Sequence, residues 1–235
     1  MFKAVIFDID GTLYSYAAND KIAVESICEF AANVLHVEES EFRTAYNEAR
    51  RIVKEERLKD GGARHSKVLF FQTTLEILGK NAFQYVLEMY DIYWNTFLAN
   101  MKPFDGVVEF IEKLHRAGVK ISLCTDMTAH IQYRKIKKLG LDNLIDFMVT
   151  SEETGLEKPA QIMFELALKK LNVDAEDTAF FGDSLERDIA GAAKVGITPF
   201  WYNDRGIFQS TDVPCVEIHS YGEIMNSKYF LMLPN

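Results

Sequence analysis

Short apolar runs alternate with helical periodicity along much of this sequence, and this alternation limits its possible folds more than any other feature. Runs typical of β-strands occur at 3–7, 119–124, 145–149, 178–181 and 197–201. Helical patterns lie between the later runs, at 106–117, 128–139, 160–171 and 185–195. Repeated β-α units form a mainly parallel sheet with helices on both faces. We therefore predict an α/β domain, with a further edge strand near Val216 and a final helix.

Residues 17–100 have a different pattern, which is helical and contains no convincing strand. The predicted helices lie at 20–35, 39–58, 64–78 and 81–98. The chain is thus predicted to divide into a core of residues 1–16 and 101–235 and an all-helical insert of residues 17–100. Because the insert follows the first strand, we expect it to cover the carboxyl edge of the sheet, where ligands of open α/β sheets bind. The alternative is a helical module that binds a partner protein.

Composition and charge exclude several classes of protein. The 235 residues carry a formal net charge of −9, which argues against a nucleic-acid polymer as partner. A small anionic substrate remains compatible with this charge, because a metal ion and a few lysines reverse the local field. The three cysteines, Cys28, Cys124 and Cys215, form no zinc or disulfide pattern. No stretch suits a membrane span or a signal peptide, so we expect a cytoplasmic protein that binds no membrane.

Two acids follow the first predicted strand. Asp8 and Asp10 alternate along an extended backbone, so their carboxylates converge on one face at the strand end. Two such carboxylates repel each other unless one is protonated or a cation lies between them. Gly11 then allows a sharp turn. Taken alone, the segment fits an acidic turn as well as it fits a catalytic or metal site.

Two further segments offer groups that bind phosphate. Thr125 and Asp126 follow a predicted strand, and they provide a hydroxyl and free backbone N–H groups. Lys158 precedes Pro159, and its ammonium group would neutralise a phosphate or hold a carboxylate in its charged form. Each segment also has a structural interpretation, as a helix cap and a solvated lysine respectively.

The last segment carries two acids at the end of a strand. Gly182 and Asp183 end the apolar run, and Asp188 follows five residues later, early in a predicted helix. Asp183 suits a hard cation such as Mg²⁺, which takes few carboxylates and keeps several waters. Acids near a helix N-terminus also stabilise the helix dipole, which is the alternative interpretation.

Together and in this order, the four segments resemble the motifs of the haloacid dehalogenase-like superfamily of phosphohydrolases. Those motifs are a double-Asp segment, a strand-terminal Ser or Thr, a Lys, and a Gly-Asp segment with a second Asp five residues on. The resemblance covers nearly the whole chain and includes residues 103–106, Pro-Phe-Asp-Gly, after the insert. It implies an α/β fold with a Rossmann-like doubly wound parallel sheet as core and an inserted all-helical cap domain of the C1 type.

The resemblance also implies catalytic roles. Asp8 would attack phosphorus and form an aspartyl phosphate. Asp10 would donate a proton to the leaving oxygen and then take one from the hydrolytic water. Thr125 and Lys158 would hold the oxygens of the transferring phosphoryl group, which suits a reaction that depends on positioning and charge neutralisation.

A metal site is implied by the same resemblance. Mg²⁺ would be bound by the Asp8 carboxylate, the Asp10 backbone carbonyl and Asp183. Asp188 would act from behind these ligands, by orienting Lys158 or a metal-bound water.

The predicted function is a magnesium-dependent phosphatase of a small phosphorylated metabolite, as a monomer or homodimer. The second acid, Asp10, favours phosphate chemistry over dehalogenation. A sugar phosphomutase and a non-catalytic binding module remain alternatives. Residues 138–142 and 150–159 are most similar to the subgroup of nucleoside 5′-monophosphate phosphatases and acylneuraminate 9-phosphatases.

Substrate choice is expected to depend on the insert and on loops beside the motifs. The candidate substrate ligands are Tyr14, Tyr16, Asp126, Arg64 and Lys67. His65 is assigned no catalytic role, since it would also serve as a cap of the following helix. Aromatic residues at helical spacing are expected to pack inside the insert or against the core rather than stack on a base; they are Tyr90, Tyr93, Trp94 and Phe97.

Overall fold

The computed structural model describes residues 2–204, 206 and 208–230. Within them, six parallel strands form one sheet in the order β3-β2-β1-β4-β5-β6. The strands are β1 Ala4–Phe7, β2 Lys120–Thr125, β3 Phe147–Thr150, β4 Thr178–Gly182, β5 Thr198–Tyr202 and β6 Val216–Ile218. This is the doubly wound order of a Rossmann-like sheet, and its direction of growth reverses between β1 and β4. The predicted fold class is confirmed, including the edge strand near Val216.

Four helices form the insert between β1 and β2. They are α1 Tyr16–Phe30, α2 Glu39–Arg51, α3 Lys67–Ile77 and α4 Ala82–Asn100. Two π-helical turns, Ala31–Leu35 and Ile52–Arg57, extend α1 and α2, and a short 3₁₀ helix, Gly62–His65, precedes α3. The predicted all-helical cap is therefore confirmed, whereas its boundaries at residues 17 and 100 stay a prediction.

The remaining helices cover the sheet. They are α5 Val107–Arg116, α6 Ala129–Leu139, α7 Ser151–Thr154, α8 Gln161–Leu171, α9 Ala190–Lys194 and α10 Tyr221–Met225. The last of these is the predicted final helix. The helix predicted at 185–195 begins with a π-helical turn, Leu185–Ile189, and only then continues as α9. In the described part of the chain, no helix is long and apolar enough to cross a bilayer.

Strand β1 shows why the sheet is covered on both faces. All four of its residues are fully buried. Val5 and Phe7 belong to the larger hydrophobic cluster, whereas Ala4 and Ile6 belong to a second cluster on the opposite face. Because side chains alternate along a strand, a run that is apolar at every position requires a packed layer on each side.

Strand β3 begins two residues later than the predicted run, because Asp146 pairs with β2 through its side chain. The Asp146 N–H donates to Ile121 O at 2.8 Å, and the Asp146 carboxylate accepts from Ile121 N–H at 2.7 Å. The carboxylate thus takes the place that a strand carbonyl would occupy.

The aromatic residues of α4 are packing residues, as predicted. Tyr93, Trp94 and Phe97 are at most 1% exposed, and Tyr90 is half-buried against Trp94. Phe97 also contacts the ring of Tyr14 at 6.0 Å between centroids. The larger hydrophobic cluster therefore runs without a break from the sheet into the insert. The three cysteines are free thiols, of which Cys28 and Cys124 are buried.

Candidate active site

The carboxyl ends of three neighbouring strands bring the polar segments together. Strand β1 pairs with both β2 and β4, with Phe7 opposite Leu123 on one side and Phe181 on the other. Asp8 follows β1 directly, and its N–H donates to Phe181 O at 2.8 Å. Thr125 ends β2, and Asp183 follows β4. Gly11 adopts a φ of +99°, which confirms the predicted turn after the two acids.

Lys158 links two buried acids. Its Nζ lies 2.5 Å from Asp8 Oδ1 and 2.6 Å from Asp188 Oδ1. All three residues are at most 5% exposed. Burial would lower the pKa of Lys158, but Asp188 and Asp8 raise it well above its usual range. The other oxygen of Asp188 accepts from the Ser184 N–H at 3.0 Å, so this acid is fixed behind Lys158.

Asp8, Asp183 and Asp188 lie close together, and their three negative charges exceed the one positive charge of Lys158. This excess of negative charge fits a metal ion. Oxygens of Asp8, Asp183 and Asp188 all lie within 4.8 Å of one another. Burial raises the pKa of Asp8; Lys158 opposes this shift, and the other two acids add to it. Asp183 Oδ1 is buried, and the described residues offer it no hydrogen-bond partner. Carboxylate oxygens are the ligands that Mg²⁺ prefers, so a divalent cation would supply the missing charge and partner.

Close packing fixes the position of Asp183. A Cβ atom on Gly11 would lie 2.3 Å from Asp183 Oδ2, so any side chain there would displace the carboxylate. On the other side, the Trp201 indole N–H donates to Asp183 O at 3.0 Å. Asp183 is thus held against Gly11, close to the other predicted metal ligands after β1.

Asp10 is held by three residues, two of which the sequence interpretation missed. Lys135 Nζ donates to both carboxylate oxygens, at 2.7 and 2.8 Å. Gln132 Nε2 donates to Oδ2 at 3.2 Å, and the Tyr14 hydroxyl donates to Oδ1. Burial would raise the pKa of Asp10, but Lys135, Tyr14 and Gln132 together lower it. Asp10 is therefore held in its charged form, which is the form that takes a proton from water.

Helix α6 carries a signal that would have revealed Gln132 and Lys135. Its buried residues include Ile131, Ile136 and Leu139, which form an ordinary apolar stripe. Gln132 and Lys135 lie on that same buried stripe and are fully buried. Polar residues at buried positions of an amphipathic helix require partners, and here the partner is Asp10.

Thr125 and Asp126 are both buried at the end of β2. Thr125 Oγ1 accepts from Gln132 Nε2 at 2.7 Å. Asp126 Oδ1 accepts from the Lys158 backbone N–H at 3.0 Å, and Oδ2 lies 3.5 Å from Arg187 Nη1. Asp126 therefore positions the Lys158 backbone.

A cavity of about 390 Å³ lies between the sheet edge and the insert. The predicted catalytic and metal residues line it from the core side; they are Asp8, Asp10, Thr125, Lys158 and Asp183. Of the predicted substrate ligands, Tyr16, Asp126 and Lys67 also line it. Tyr14 is fully buried against Asp10, and the cavity lining within the described residues does not include Arg64. The geometry therefore gives Tyr14 and Arg64 other partners than substrate.

The segment 60–65 attaches the insert to the core beside Lys158. Glu157 accepts from Arg64 Nη1 at 2.7 Å and lies 2.7 Å from His65 Nε2. The Glu157 backbone N–H donates to Asp60 Oδ1 at 2.6 Å. The suggestion that His65 caps the next helix is wrong, since the Ser66 side chain caps α3 by accepting from the Leu69 N–H.

Comparison with known proteins identifies the family. The profile of the haloacid dehalogenase-like hydrolases matches residues 2–196. The chain is 39% identical over 204 residues to a ribulose-1,5-bisphosphate 5-phosphatase of Halopiger xanaduensis. This alignment covers 84% of this chain and 83% of that protein. It is 30% identical over 236 residues to a glyceraldehyde 3-phosphate phosphatase of Methanopyrus kandleri, which covers 96% and 97% respectively.

The solved structures add evidence on the fold alone. A 2-haloacid dehalogenase of Pseudomonas syringae superposes with a TM-score of 0.75 over 95% of this chain and 96% of its own, at 23% identity. The family profile matches residues 2–196, which include all four polar segments, and each of the two phosphatase relatives covers most of the chain. The chain therefore belongs to the haloacid dehalogenase-like hydrolase family and is a phosphoric monoester hydrolase.

Proposed function

We propose that this chain is a magnesium-dependent phosphatase of small sugar phosphates that works through an aspartyl phosphate on Asp8. The observation that carries the proposal is the contact of Asp8 with Lys158, beside Asp183 in the lining of the cavity. Two relatives with much of this sequence in common bear the names of sugar-phosphate phosphatases. The predicted likeness to nucleotide and acylneuraminate phosphatases, the cytoplasmic location and the monomer or homodimer state stay predictions.

In this proposal, Lys158 and Thr125 bind the oxygens of the phosphoryl group and hold phosphorus in line with an oxygen of Asp8. The Asp8 carboxylate attacks phosphorus, and the bond from phosphorus to the leaving sugar oxygen breaks. In this proposal the Asp10 carboxylate takes up a proton from solvent as the substrate binds and supplies it to that oxygen. In the second step the Asp10 carboxylate takes a proton from the water that attacks the aspartyl phosphate. The products are the free sugar hydroxyl, inorganic phosphate and regenerated Asp8.

Mg²⁺, held by the Asp8 carboxylate, the Asp10 backbone carbonyl and Asp183, would neutralise negative charge on the phosphoryl group when bound. Lys158 already compensates Asp8 and Asp188, so it is held where the phosphoryl oxygens arrive. Asp188 keeps this ammonium group in place and charged.

A dehalogenase function is disfavoured by the contacts of Asp10. Lys135, Gln132 and Tyr14 all bind its carboxylate, and two of these residues come from a buried face of α6. A partly buried acid with so many partners is costly to place and is expected to serve the reaction.

The test is the release of inorganic phosphate from a panel that includes glyceraldehyde 3-phosphate, ribulose 1,5-bisphosphate and glucose 1-phosphate. We expect release with Mg²⁺, loss of release with EDTA, and loss in Asp8→Asn. Asp142→Asn, a matched change at an exposed acid, should behave as the unchanged protein. Metal-independent release, or release that survives Asp8→Asn, would contradict the proposal. Conversion of glucose 1-phosphate to its 6-phosphate with little free phosphate would indicate the mutase instead.

A further inference from the structure

The cavity has two walls of opposite charge. The core wall carries the acids of the proposed reaction. The wall formed by the insert carries four basic side chains, Arg50, Lys54, His65 and Lys67. Among the described residues that line the cavity, the insert contributes no acid. A small cavity with a cationic wall opposite its reacting groups binds a ligand that is negative at that end.

Arg50 and Lys54 are the two basic residues of this wall that make no ion pair with a described acid, although Asp20 and Glu157 respectively interact with their charges at longer range. They lie four residues apart, at the end of α2 and in the π-helical turn that follows it, and both are half-buried. Arg50 lies over the Tyr46 ring at 5.7 Å, and Lys54 lies over the Phe70 ring at 5.9 Å. Within residues 2–204, 206 and 208–230, neither side chain has an ion pair with an acid.

Lys67 differs from these two because it has partners of its own. Its side chain is buried, and Nζ donates to Asp20 Oδ1 at 3.0 Å and to the Tyr46 hydroxyl at 3.2 Å. It also lies 4.3 Å from the centre of the Tyr93 ring. Lys67 is therefore fixed in place by the insert itself, whereas Arg50 and Lys54 have donors to spare.

The basic residues repel one another in the absence of a ligand. The pKa of Lys54 is lowered to about 8, first by burial and then by the positive charges of Arg50, Lys67 and Arg64. A protein retains such a cluster at a cost, since like charges in a partly buried site weaken the fold. An anion placed between Arg50 and Lys54 would offset this repulsion and raise the pKa of Lys54 toward its usual value.

The proposed reaction has no use for these cations at the scissile phosphate. Lys158 and the metal ligands serve that group from the core wall, beside Asp8. We propose that Arg50 and Lys54 bind a second phosphate of the substrate, at the end away from the phosphate that Asp8 attacks; this inference depends on the proposed function. The substrate class is then a small sugar bisphosphate rather than a monophosphate.

Binding to the full-length Asp8→Asn protein with Mg²⁺ tests this inference, because the variant cannot consume its ligand. The probes are ribulose 1,5-bisphosphate and fructose 1,6-bisphosphate, each compared by calorimetry with its monophosphate, ribulose 5-phosphate or fructose 6-phosphate. Two charged hydrogen-bond donors should give at least one bisphosphate a preference of about 30-fold. Replacing both residues, as Arg50→Met with Lys54→Met, should reduce this preference to less than about 3-fold.

Lys59→Met is the matched control, since Lys59 is exposed and does not line the cavity, and it should keep the full preference. Thermal melting confirms that each variant is folded, and Lys54→Gln alone provides a milder change that should lose part of the preference. The inference is overturned if neither bisphosphate binds tighter than its monophosphate. It is also overturned if the double change weakens both ligands equally, which would indicate general attraction of anions.

Failure of the proposed function would look different. If the unchanged protein released no phosphate from any ester, but bisphosphate preference still depended on Arg50 and Lys54, the second phosphate site would stand and the phosphatase proposal would be wrong. If the protein hydrolysed monophosphates but did not bind bisphosphates more tightly, the phosphatase proposal would stand and the inference of a second phosphate site would be wrong.

Discussion

At the scale of single residues, Lys158 balances the acids of the site. Its ammonium group lies within 2.6 Å of oxygens from Asp8 and Asp188, and the three side chains are buried together. Burying a charged pair is costly, so such a contact adds little net stability, but the loss of one partner is strongly destabilising. Substitution of Lys158 should therefore lower the free energy of unfolding more than substitution of a surface lysine does.

We expect Lys158→Met to lower the free energy of unfolding by about 3 kcal/mol at neutral pH, because it leaves buried acids without their cation. Phosphate release should fall by about 1000-fold, since a group that stabilises the transferring phosphoryl charge is lost. Urea denaturation and steady-state assays measure the two effects. Lys138→Met, at an exposed position of α6, is the control and should change neither. A fully stable Lys158→Met protein would show that the buried contact is not formed.

The pair of Lys135 and Asp10 gives a prediction that depends on pH. The fold lowers the pKa of Asp10, so its ionisation stabilises the native state above the usual pKa of an aspartate. This contribution is lost as the pH falls through the lowered value. In Lys135→Met, the partly buried Asp10 is left without its cation, so stability at pH 7 should fall by about 3 kcal/mol.

Below the usual range of an aspartate, Asp10 becomes neutral in Lys135→Met, and the difference from the unchanged protein should shrink. Urea denaturation in metal-free buffer at neutral and acidic pH makes the comparison, with Lys137→Met as an exposed control on the same helix. Equal destabilisation at both pH values would mean that Lys135 matters for packing and not for the charge of Asp10.

Sequence motifs predicted some of these residues well and missed others for a physical reason. Asp8, Lys158 and Asp188 were predicted because each follows a strand in a recognisable order, and they meet at one edge of the sheet. Lys135 and Arg50 belong to no motif. They reach the site from α6 and α2, whose placement depends on tertiary packing that single-sequence patterns do not contain.

At the scale of elements, segment 60–65 determines how the insert meets the core. Arg64 and His65 both contact Glu157, the residue before Lys158. Gly62 is packed so closely that an added Cβ would lie 2.8 Å from Met127 O. The insert is thus docked beside Lys158.

Glu157→Gln should loosen this docking, because a neutral amide cannot balance the Arg64 charge. Because the interaction is partly exposed, its loss should cost about 1 kcal/mol of the free energy that holds this segment in place. That cost corresponds to about fivefold faster hydrogen exchange at residues 60–66. Hydrogen exchange followed by mass spectrometry measures this change. Glu165→Gln, at an exposed position of α8, should leave exchange at these residues unaltered. The same result for both variants would show that Glu157 does not hold the insert.

Element types were predictable here because the patterns are strong, and the exceptions have local causes. Asp146 replaces a strand bond with its carboxylate, so β3 begins late. The segments Ile52–Arg57 and Leu185–Ile189 are π-helical turns within runs that read as ordinary helix. Hydrophobic periodicity distinguishes helix from strand but not these finer choices, which depend on contacts distant in sequence.

At the scale of the whole molecule, the doubly wound order places Asp8 at its switch point. The chain leaves β1 toward β2 and later returns on the other side with β4, so both neighbours end beside Asp8. The alternating pattern predicted a parallel sheet, but strand order is set by how the helices pack on each face. The sequence of a segment such as 119–125 does not indicate which strand will be its neighbour in the sheet.

Charge is distributed unevenly over the molecule. The formal net charge is −9, yet the insert presents Arg50, Lys54 and Lys67 to the cavity. Net charge therefore excluded a polymer of nucleotides without excluding a small anion. An acidic protein can thus offer a locally basic wall to a small anion, as the proposed second phosphate site requires.

The central claim is that Asp8 is the nucleophile, and trapping its phosphorylated form tests this claim most directly. A rapid acid quench of the unchanged protein during turnover with Mg²⁺, followed by mass spectrometry of its peptides, should find one phosphoryl group on Asp8. The adduct should be absent without Mg²⁺ and in Asp8→Asn. A phosphoryl group on another residue, or turnover by Asp8→Asn with no adduct, would contradict the account.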